Sequence, residues 1–355
     1  MITEIFTARF GRASDKSGFT PGRVNLIGEH IDYNGGRVLP TALDLGVSIA
    51  LASRNDGIVR IASDGFDDLA ERSISDPASG HWSDYLVGAA QLAKANGFGP
   101  NGADIAVATT LPFGAGISSS AAVTVGLLRA FRDLRGSLQT DTDLAVLARQ
   151  VENDYIGMPC GIMDQMAVAI ARPGQALFLD TTSLDFDCID LPETHHIVVV
   201  HSGVFRELAE GHYRIRKEEC DAVKALIGRD DICLMSDAEL TRCEAELPAR
   251  VFRRARHCVS EHRRTVAAAQ ALQSGDIATL GALMNQSHIS MRDDFEMSVP
   301  AVDALVADAQ KLGAVGARLT GGGFGGCIVA CVDKADVPDW RSALLTRHPD
   351  AFWVA

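Results

Sequence analysis

Leu111-Pro112-Phe113-Gly114-Ala115-Gly116-Ile117-Ser118-Ser119-Ser120-Ala121-Ala122 is the stretch on which the fold of this chain turns. Gly114 and Gly116 let the backbone curl tightly, and Ser118, Ser119 and Ser120 follow as hydroxyl donors. A helix then begins. Free N–H groups and the positive end of the macrodipole make such a helix start an anion site. A serine hydroxyl is also a candidate magnesium ligand. The plainer alternative is a serine N-cap on a structural helix. The loop is not a Walker A motif, because no Gly-Lys-Ser/Thr follows at the required spacing.

The pattern outward from the loop mixes helices and strands. Residues 120–134 read as a helix, with Gly136 just past its end. A second helix starts near Thr140 to Thr142, carries Leu144, Leu147, Ala148 and Val151 at helical spacing, and stops at Gly157-Met158-Pro159. Upstream, residues 47–54 and 58–64 are β-prone and are expected to pair as a hairpin across Asn55-Asp56-Gly57. The polar stretch 184–193 is the expected domain boundary, giving domains 1–183 and 184–355. After it come a short strand at 197–200 and long helices. The clearest helix covers 255–273, with Cys258, Val259, His262, Val266 and Ala269 on one face. A last strand pair, 317–320 and 327–332, flanks a glycine loop. The expected fold class is α+β, in two domains with an active site between them.

Length and charge bound the function. A chain of 355 residues exceeds one compact core and suits two domains. A net charge of −13 disfavours nucleic acid and anionic membrane as partners. It does not exclude a phosphate ligand, because a local nest of N–H groups holds phosphate inside an acidic protein. The eight cysteines form no CxxC pair and no zinc spacing. Residues 1–10 lack the basic-then-apolar pattern of a signal peptide, and no apolar run reaches membrane-spanning length. A reduced, cytoplasmic protein is expected.

Three further segments carry polar density. Pro21-Gly22-Arg23-Val24-Asn25-Leu26-Ile27-Gly28-Glu29-His30-Ile31-Asp32-Tyr33-Asn34-Gly35-Gly36 holds Arg23, Glu29, His30 and Asp32 in an otherwise apolar run. Such groups suit sugar hydroxyls; the alternative is a solvated hairpin at Asn34-Gly35. Gly157-Met158-Pro159-Cys160-Gly161-Ile162-Met163-Asp164-Gln165 presents Asp164 as either a helix cap or a chemical group. Thr320-Gly321-Gly322-Gly323-Phe324-Gly325-Gly326-Cys327 contains a formal GxGxxG. A strand rather than a helix follows it, so dinucleotide binding is rejected.

In this order, these segments resemble the galactokinase family of the GHMP kinases. Further similarity lies in Trp82-Ser83-Asp84-Tyr85 with Gly88, in Tyr213 with Arg216, Lys217 and Cys220, and in Ser290-Met291-Arg292-Asp293. The resemblance implies a two-domain GHMP kinase fold and ATP-dependent phosphorylation of a sugar 1-hydroxyl, with galactose as the default acceptor. It implies Asp164 as the proton acceptor, with Arg23 beside it to stabilise charge on the attacking oxygen. It implies Glu29, His30, Asp32, Gly161 and Tyr213 as sugar contacts and Trp82 as a neighbour of the adenine. Gly114, Ala115, Gly116, Ile117, Ser118, Ser119 and Ser120 would bind the nucleotide phosphates. Ser120 and Glu152 would hold Mg2+. The expected partners are thus ATP and a small sugar. The sequence does not give the oligomeric state.

Three positions depart from the family pattern. Ile31 stands where threonine is usual, Arg37 where an apolar or aromatic residue is usual, and Ser202-Gly203 where an asparagine-bearing segment is usual. They bear on the identity of the sugar. An inward-turned Arg37 would pair with the C6 carboxylate of galacturonate. A catalytically silent sugar sensor is the rival from another class. Arg23, Asp164 and the intact serine loop argue against it.

Overall fold

The computed structural model describes residues 1–205 and 209–355. The described strands are β1 (Lys16–Asn25), β2 (Arg37–Val38), β3 (Pro40–Ser53), β4 (Ile58–Ser63), β5 (Phe66–Ser73), β6 (Ala103–Thr109), β7 (Gln175–Asp180), β8 (Phe186–Asp190), β9 (His195–His201), β10 (Gly316–Leu319), β11 (Cys327–Asp333) and β12 (Phe352–Trp353). The α-helices are α1 (Ile2–Phe10), α2 (Asp84–Ala95), α3 (Ser119–Arg135), α4 (Asp141–Gln150), α5 (Met163–Ile170), α6 (Ala209–Ile227), α7 (Asp237–Glu246), α8 (Ala249–Ser274), α9 (Ile277–Asp293), α10 (Pro300–Lys311) and α11 (Val337–Arg347).

Contacts divide the chain into two compact units. The first is Met1–Arg23, Leu43–Pro112 and Ile117–Ile170; the second is Val24–Ala42, Phe113–Gly116 and Ala171–Ala355. A single cut at 183 would put Val24–Ala42 and residues 171–183 in the first domain. They fall in the second unit: β2 hydrogen-bonds β7 (Arg37 opposite Asp180), Thr41 lies opposite Ala176, and β2 and β8 both contact α8. The stretch 184–193 is not a bare linker either. It contains β8, antiparallel to β7 from Gln175↔Asp190 to Leu179↔Phe186. Only Ile189 of β8 is buried, so the strand carries no alternation to read.

In the first unit, β6 lies between β3 and β4, antiparallel to one and parallel to the other. The expected hairpin of residues 47–54 with 58–64 therefore does not form, although both strands do. Asn55-Asp56-Gly57 still turns: Asp56 Oδ1 accepts the Ile58 N–H at 3.2 Å and Gly57 has φ 78°. Six of the seven residues of β6 are buried, and an apolar strand of that kind takes the central place and pairs on both edges. Phe6 of α1 packs on Ala50, Ala52 and Ala106 of this sheet. α3 runs as the sequence implies, ending at left-handed Gly136, and α4 starts at Thr140 with a capping box to Asp143. α4 then continues into a π-turn, Val151–Ile156, that closes at left-handed Gly157.

In the second unit, β9 is flanked by β11 and β12, and β10 pairs β11 antiparallel from Gly316↔Cys331 to Leu319↔Ile328. The glycine loop thus joins two strands. α8 is longer than expected. Of its expected face, Cys258, Val259 and Ala269 are buried and His262 and Val266 are half-buried, while Arg254, His257, Glu261, Thr265 and Leu272 are buried as well. Among the described residues, no helix is long and apolar enough to cross a membrane.

Candidate active site

The serine loop has the backbone alternation of a nest and lacks a serine cap bond. Gly114, Gly116 and Ser118 are left-handed (φ 70°, 70° and 65°), so every second residue reverses the chain. Such alternation turns successive N–H groups toward one side and forms a nest. Ala115 and Ile117 between them are fully buried and anchor the loop. Ser118 stands in the cap position of α3 yet makes no side-chain cap bond. Its Oγ is buried without a partner. A buried orphan hydroxyl costs free energy unless something supplies an acceptor. Ser119 is exposed and Ser120 half-buried at the start of the helix.

β1 delivers Arg23 into the first unit at 4% exposure, with its own N–H held by Ile117 O at 3.2 Å. Arg23 Nε and Nη2 both donate to Asp164 Oδ1, at 2.9 and 2.7 Å. Asp164 is the second residue of α5, and its side chain keeps 34% exposure. It lies within the first turn of the helix and forms an ion pair with an arginine. Glu152, from the π-turn, is buried at 7% exposure and accepts from Gln165 Nε2 at 2.9 Å. Burial first, and the Asp164 charge second, push its carboxyl up to about 7, opposed by hydrogen bonds from Gln165 and Ser120. Gly161 is buried in the turn before α5. Ser120, Glu152, Asp164 and Arg23 are thus brought together.

Trp82 lies just before α2 and stacks on Phe66, with ring centroids 4.5 Å apart and planes 5° from parallel. Its indole N–H is buried without an acceptor. Phe66 was not legible as part of this platform, because it opens β5 in a mostly polar strand.

The second unit assembles Glu29, His30 and Tyr213. His30 is left-handed (φ 59°) and 4% exposed. Its ring lies 5.1 Å from Tyr213 and 4.7 Å from Phe295. Nδ1 is 2.6 Å from the Tyr33 hydroxyl and Nε2 is 3.4 Å from Gly322 O. A carbonyl only accepts, so Nε2 carries the proton and Nδ1 accepts from Tyr33. Burial holds the Tyr33 phenol well above its ordinary pKa, which keeps it a donor. Asp32 is half-buried and close enough to raise the Tyr33 pKa further.

Glu29 is turned inward. It is 1% exposed; Oε1 accepts from Thr320 Oγ1 (3.1 Å) and Gly321 N–H (2.7 Å), while Oε2 accepts from Asn25 Nδ2 (2.8 Å). These bonds tie the signature segment to the glycine loop. Oε2 retains capacity for one more donor. Fully buried Arg318 lies between Glu29 (3.6 Å) and Glu261 (3.9 Å). Arg264, Arg318 and His257 outweigh desolvation at Glu261 and hold its carboxyl down to about 2. Glu261 in turn accepts the Gly28 N–H at 3.0 Å. His257, Glu261 and Arg318 escaped the sequence reading. The available signal was the spacing of Arg254, His257 and Glu261 on one helix face.

Each of the three departures is engaged by neighbouring residues. Ile31 is fully buried. Arg37 Nε donates to Asp180 Oδ2 at 3.2 Å, and its guanidinium lies 5.1 Å from the Phe178 ring centroid. That engagement leaves no inward-turned Arg37 to read a C6 carboxylate. Gly203 (φ 82°) abuts Asp350, where an added Cβ would fall 2.5 Å from a backbone oxygen.

Comparison with known proteins gives three family matches along the chain. Residues 4–53 match the galactokinase galactose-binding signature, residues 84–172 the GHMP kinase N-terminal domain, and residues 268–350 the GHMP kinase C-terminal domain. The chain is 42% identical over 339 residues to a galactokinase from Roseiflexus sp. (strain RS-1), covering 93% of this chain and 87% of that one. The structure of Lactococcus lactis galactokinase complexed with galactose superposes with a TM-score of 0.93 at 31% identity, covering 99% of this chain and 95% of the other. Methanococcus jannaschii mevalonate kinase, at 19% identity and a TM-score of 0.70 over 96% and 98%, shares the fold. An intact serine loop, a paired Arg23 and Asp164, and this degree of likeness lead to one conclusion: the chain belongs to the galactokinase family of GHMP kinases.

Proposed function

We propose that the chain transfers the γ-phosphoryl group of ATP to the 1-hydroxyl of galactose, giving galactose 1-phosphate and ADP. The observation that carries this reading is the buried Arg23 gripping Asp164 through two N–H groups. The hydroxyl oxygen attacks phosphorus in line, its proton passes to Asp164, and the bond to the β-phosphate oxygen breaks with ADP as leaving group. Arg23 orients Asp164 and stabilises negative charge on the attacking oxygen. Phosphoryl transfer asks the protein mainly for positioning and charge neutralisation.

Gly114, Ala115, Gly116, Ile117, Ser118, Ser119 and Ser120 hold the phosphates in this proposal, with the orphan Ser118 hydroxyl donating to one of them. Trp82 faces the adenine, and its unpartnered indole N–H suits a purine nitrogen. His30, Asp32, Gly161 and Tyr213 read the sugar hydroxyls, joined by the spare lone pair of Glu29 Oε2.

Ser120 and Glu152 fit Mg2+. A carboxyl pushed up to about 7 beside a second carboxylate gains from a divalent cation, and magnesium prefers oxygen ligands. No described group of three or more His, Cys, Asp or Glu gathers as a metal site, so phosphate and water oxygens would complete the shell. When bound, Mg2+ supplies neutralisation of phosphate charge. Cytoplasmic residence belongs to the same proposal, supported by eight cysteines whose spacing shows no CxxC pair and no zinc pattern.

ADP release with galactose, glucose, galacturonate and N-acetylgalactosamine tests the reaction, with the product identified by phosphorus NMR. Galactose-dependent release of ADP, with phosphate on C1, is expected. Binding of both ligands without release would support the silent sensor instead.

A further inference from the structure

The left-handed backbone at His30 is held from both sides by buried side chains. His257, fully buried on α8, has Nε2 3.1 Å from the carbonyl oxygen of Glu29, the residue before His30. Asn34, also fully buried, donates Nδ2–H to the carbonyl of His30 itself at 2.8 Å. Thus the peptides on both sides of the positive φ are gripped. A non-glycine residue there is strained and persists only where its surroundings over-determine it. Phe295 fills the space between the two histidines, 4.7 Å from each ring.

We propose that His257 and Asn34 form a clamp that sets the His30 conformation and thereby the affinity for the sugar; His257 is a positioning residue acting through the Glu29–His30 peptide. This rests on the reading that His30 and Asp32 face the sugar. The chemistry fixes the tautomer of His257. A carbonyl accepts only, so Nε2 carries the hydrogen, and Nδ1 accepts from the Ser290 hydroxyl at 2.9 Å. Burial, the largest cause, depresses the His257 pKa to about 4, so the ring is neutral at physiological pH and keeps this tautomer. Asn34 Nδ2 also reaches the thiols of Cys220 and Cys258, each at 3.5 Å, which fixes its amide against α6 and α8.

Two near-isosteric changes separate clamping from mere packing. In His257→Gln the amide nitrogen replaces Nε2 and keeps the bond to Glu29 O. In His257→Asn the amide replaces Nδ1, keeps the Ser290 side and loses the Glu29 bond. The expected result is a galactose KM raised about ten-fold or more in His257→Asn and near wild type in His257→Gln, with the KM for ATP unchanged in both. Equal galactose KM values in the two variants would overturn the clamp. Asn34→Ala provides a second route should His257→Asn not fold. It deletes the donor to His30 O together with an Oδ1 that has no partner, which softens the cost. A raised galactose KM supports the clamp, and an unchanged one overturns it. His30→Ala and Asp32→Asn are measured alongside. If neither changes galactose affinity, the sugar-site reading fails, whatever the His257 pair shows.

Discussion

Arg23 places both Nε and Nη2 on a single oxygen of Asp164, Oδ1, at 2.9 and 2.7 Å. Oδ2 lies outside that grip, on a side chain that keeps 34% exposure. In the proposed reaction, Oδ1 is the oxygen oriented by the guanidinium and Oδ2 is the one that takes the proton.

Asp164→Asn keeps the shape and one acceptor for Arg23 but cannot take the proton. Turnover should fall by about 10²–10⁴, with galactose affinity largely retained. Steady-state kinetics and calorimetric titration with galactose measure the two effects. Near-normal turnover with chemistry rate-limiting would remove Asp164 from the base role.

Glu152 predicts a pH signature. Its folded-state pKa of about 7 lies above the ordinary 4.5, so the folded protein binds more protons than the unfolded chain between those values. Stability from this group is therefore greatest at low pH and declines as pH rises through that window, by at most on the order of 3 kcal/mol. Glu152→Gln should flatten the decline and raise Tm at pH 8 in the absence of ligands. Mg2+ with ATP should stabilise wild type more than the variant. Parallel Tm–pH curves for the two proteins would contradict the assignment.

Ser118→Ala removes a buried hydroxyl that has no partner among the described residues. The ligand-free Tm should be unchanged or slightly higher. A hydrogen bond to a charged phosphate is worth about 1.5–3 kcal/mol, so the KM for ATP should rise about ten-fold or more. The KM for galactose should not move. An unaltered KM for ATP would mean that Ser118 does not meet the nucleotide.

Arg37→Ala tests the sugar. The guanidinium is engaged with Asp180 and the Phe178 ring at 43% exposure, so its removal should cost under about 1 kcal/mol and leave galactose kinetics intact. Galacturonate should be a poor acceptor with or without the change. Strong galacturonate activity that disappears in the variant would reverse this reading.

Local signals explain what was legible. Gly114, Gly116 and the serines announce a tight turn into a helix; Thr140 announces a helix start, and Gly136 a helix end. These are short-range rules, set by φ preferences and unpaired N–H groups. The hairpin across Asn55-Asp56-Gly57 failed because pairing is a long-range choice. β6 follows 30 residues or more after β3 and β4 begin, yet it takes the place between them, since its buried residues need partners on both edges.

By itself the sequence determined the chemistry available: a glycine-serine loop, an arginine and an aspartate, a segment bearing Glu29, His30 and Asp32, and a glycine loop that leads into a strand. Tertiary structure alone decided how those groups are used. It turned Glu29 toward Thr320 and Gly321, which lie nearly 300 residues away along the chain, drew Arg37 onto Phe178, and buried Glu152 beside Asp164. It also brought His257 against the Glu29–His30 peptide. The physical reason is common to all four. Residue type fixes what a side chain can donate, accept or carry. The partner it meets, and the water it loses, are set only when distant segments pack.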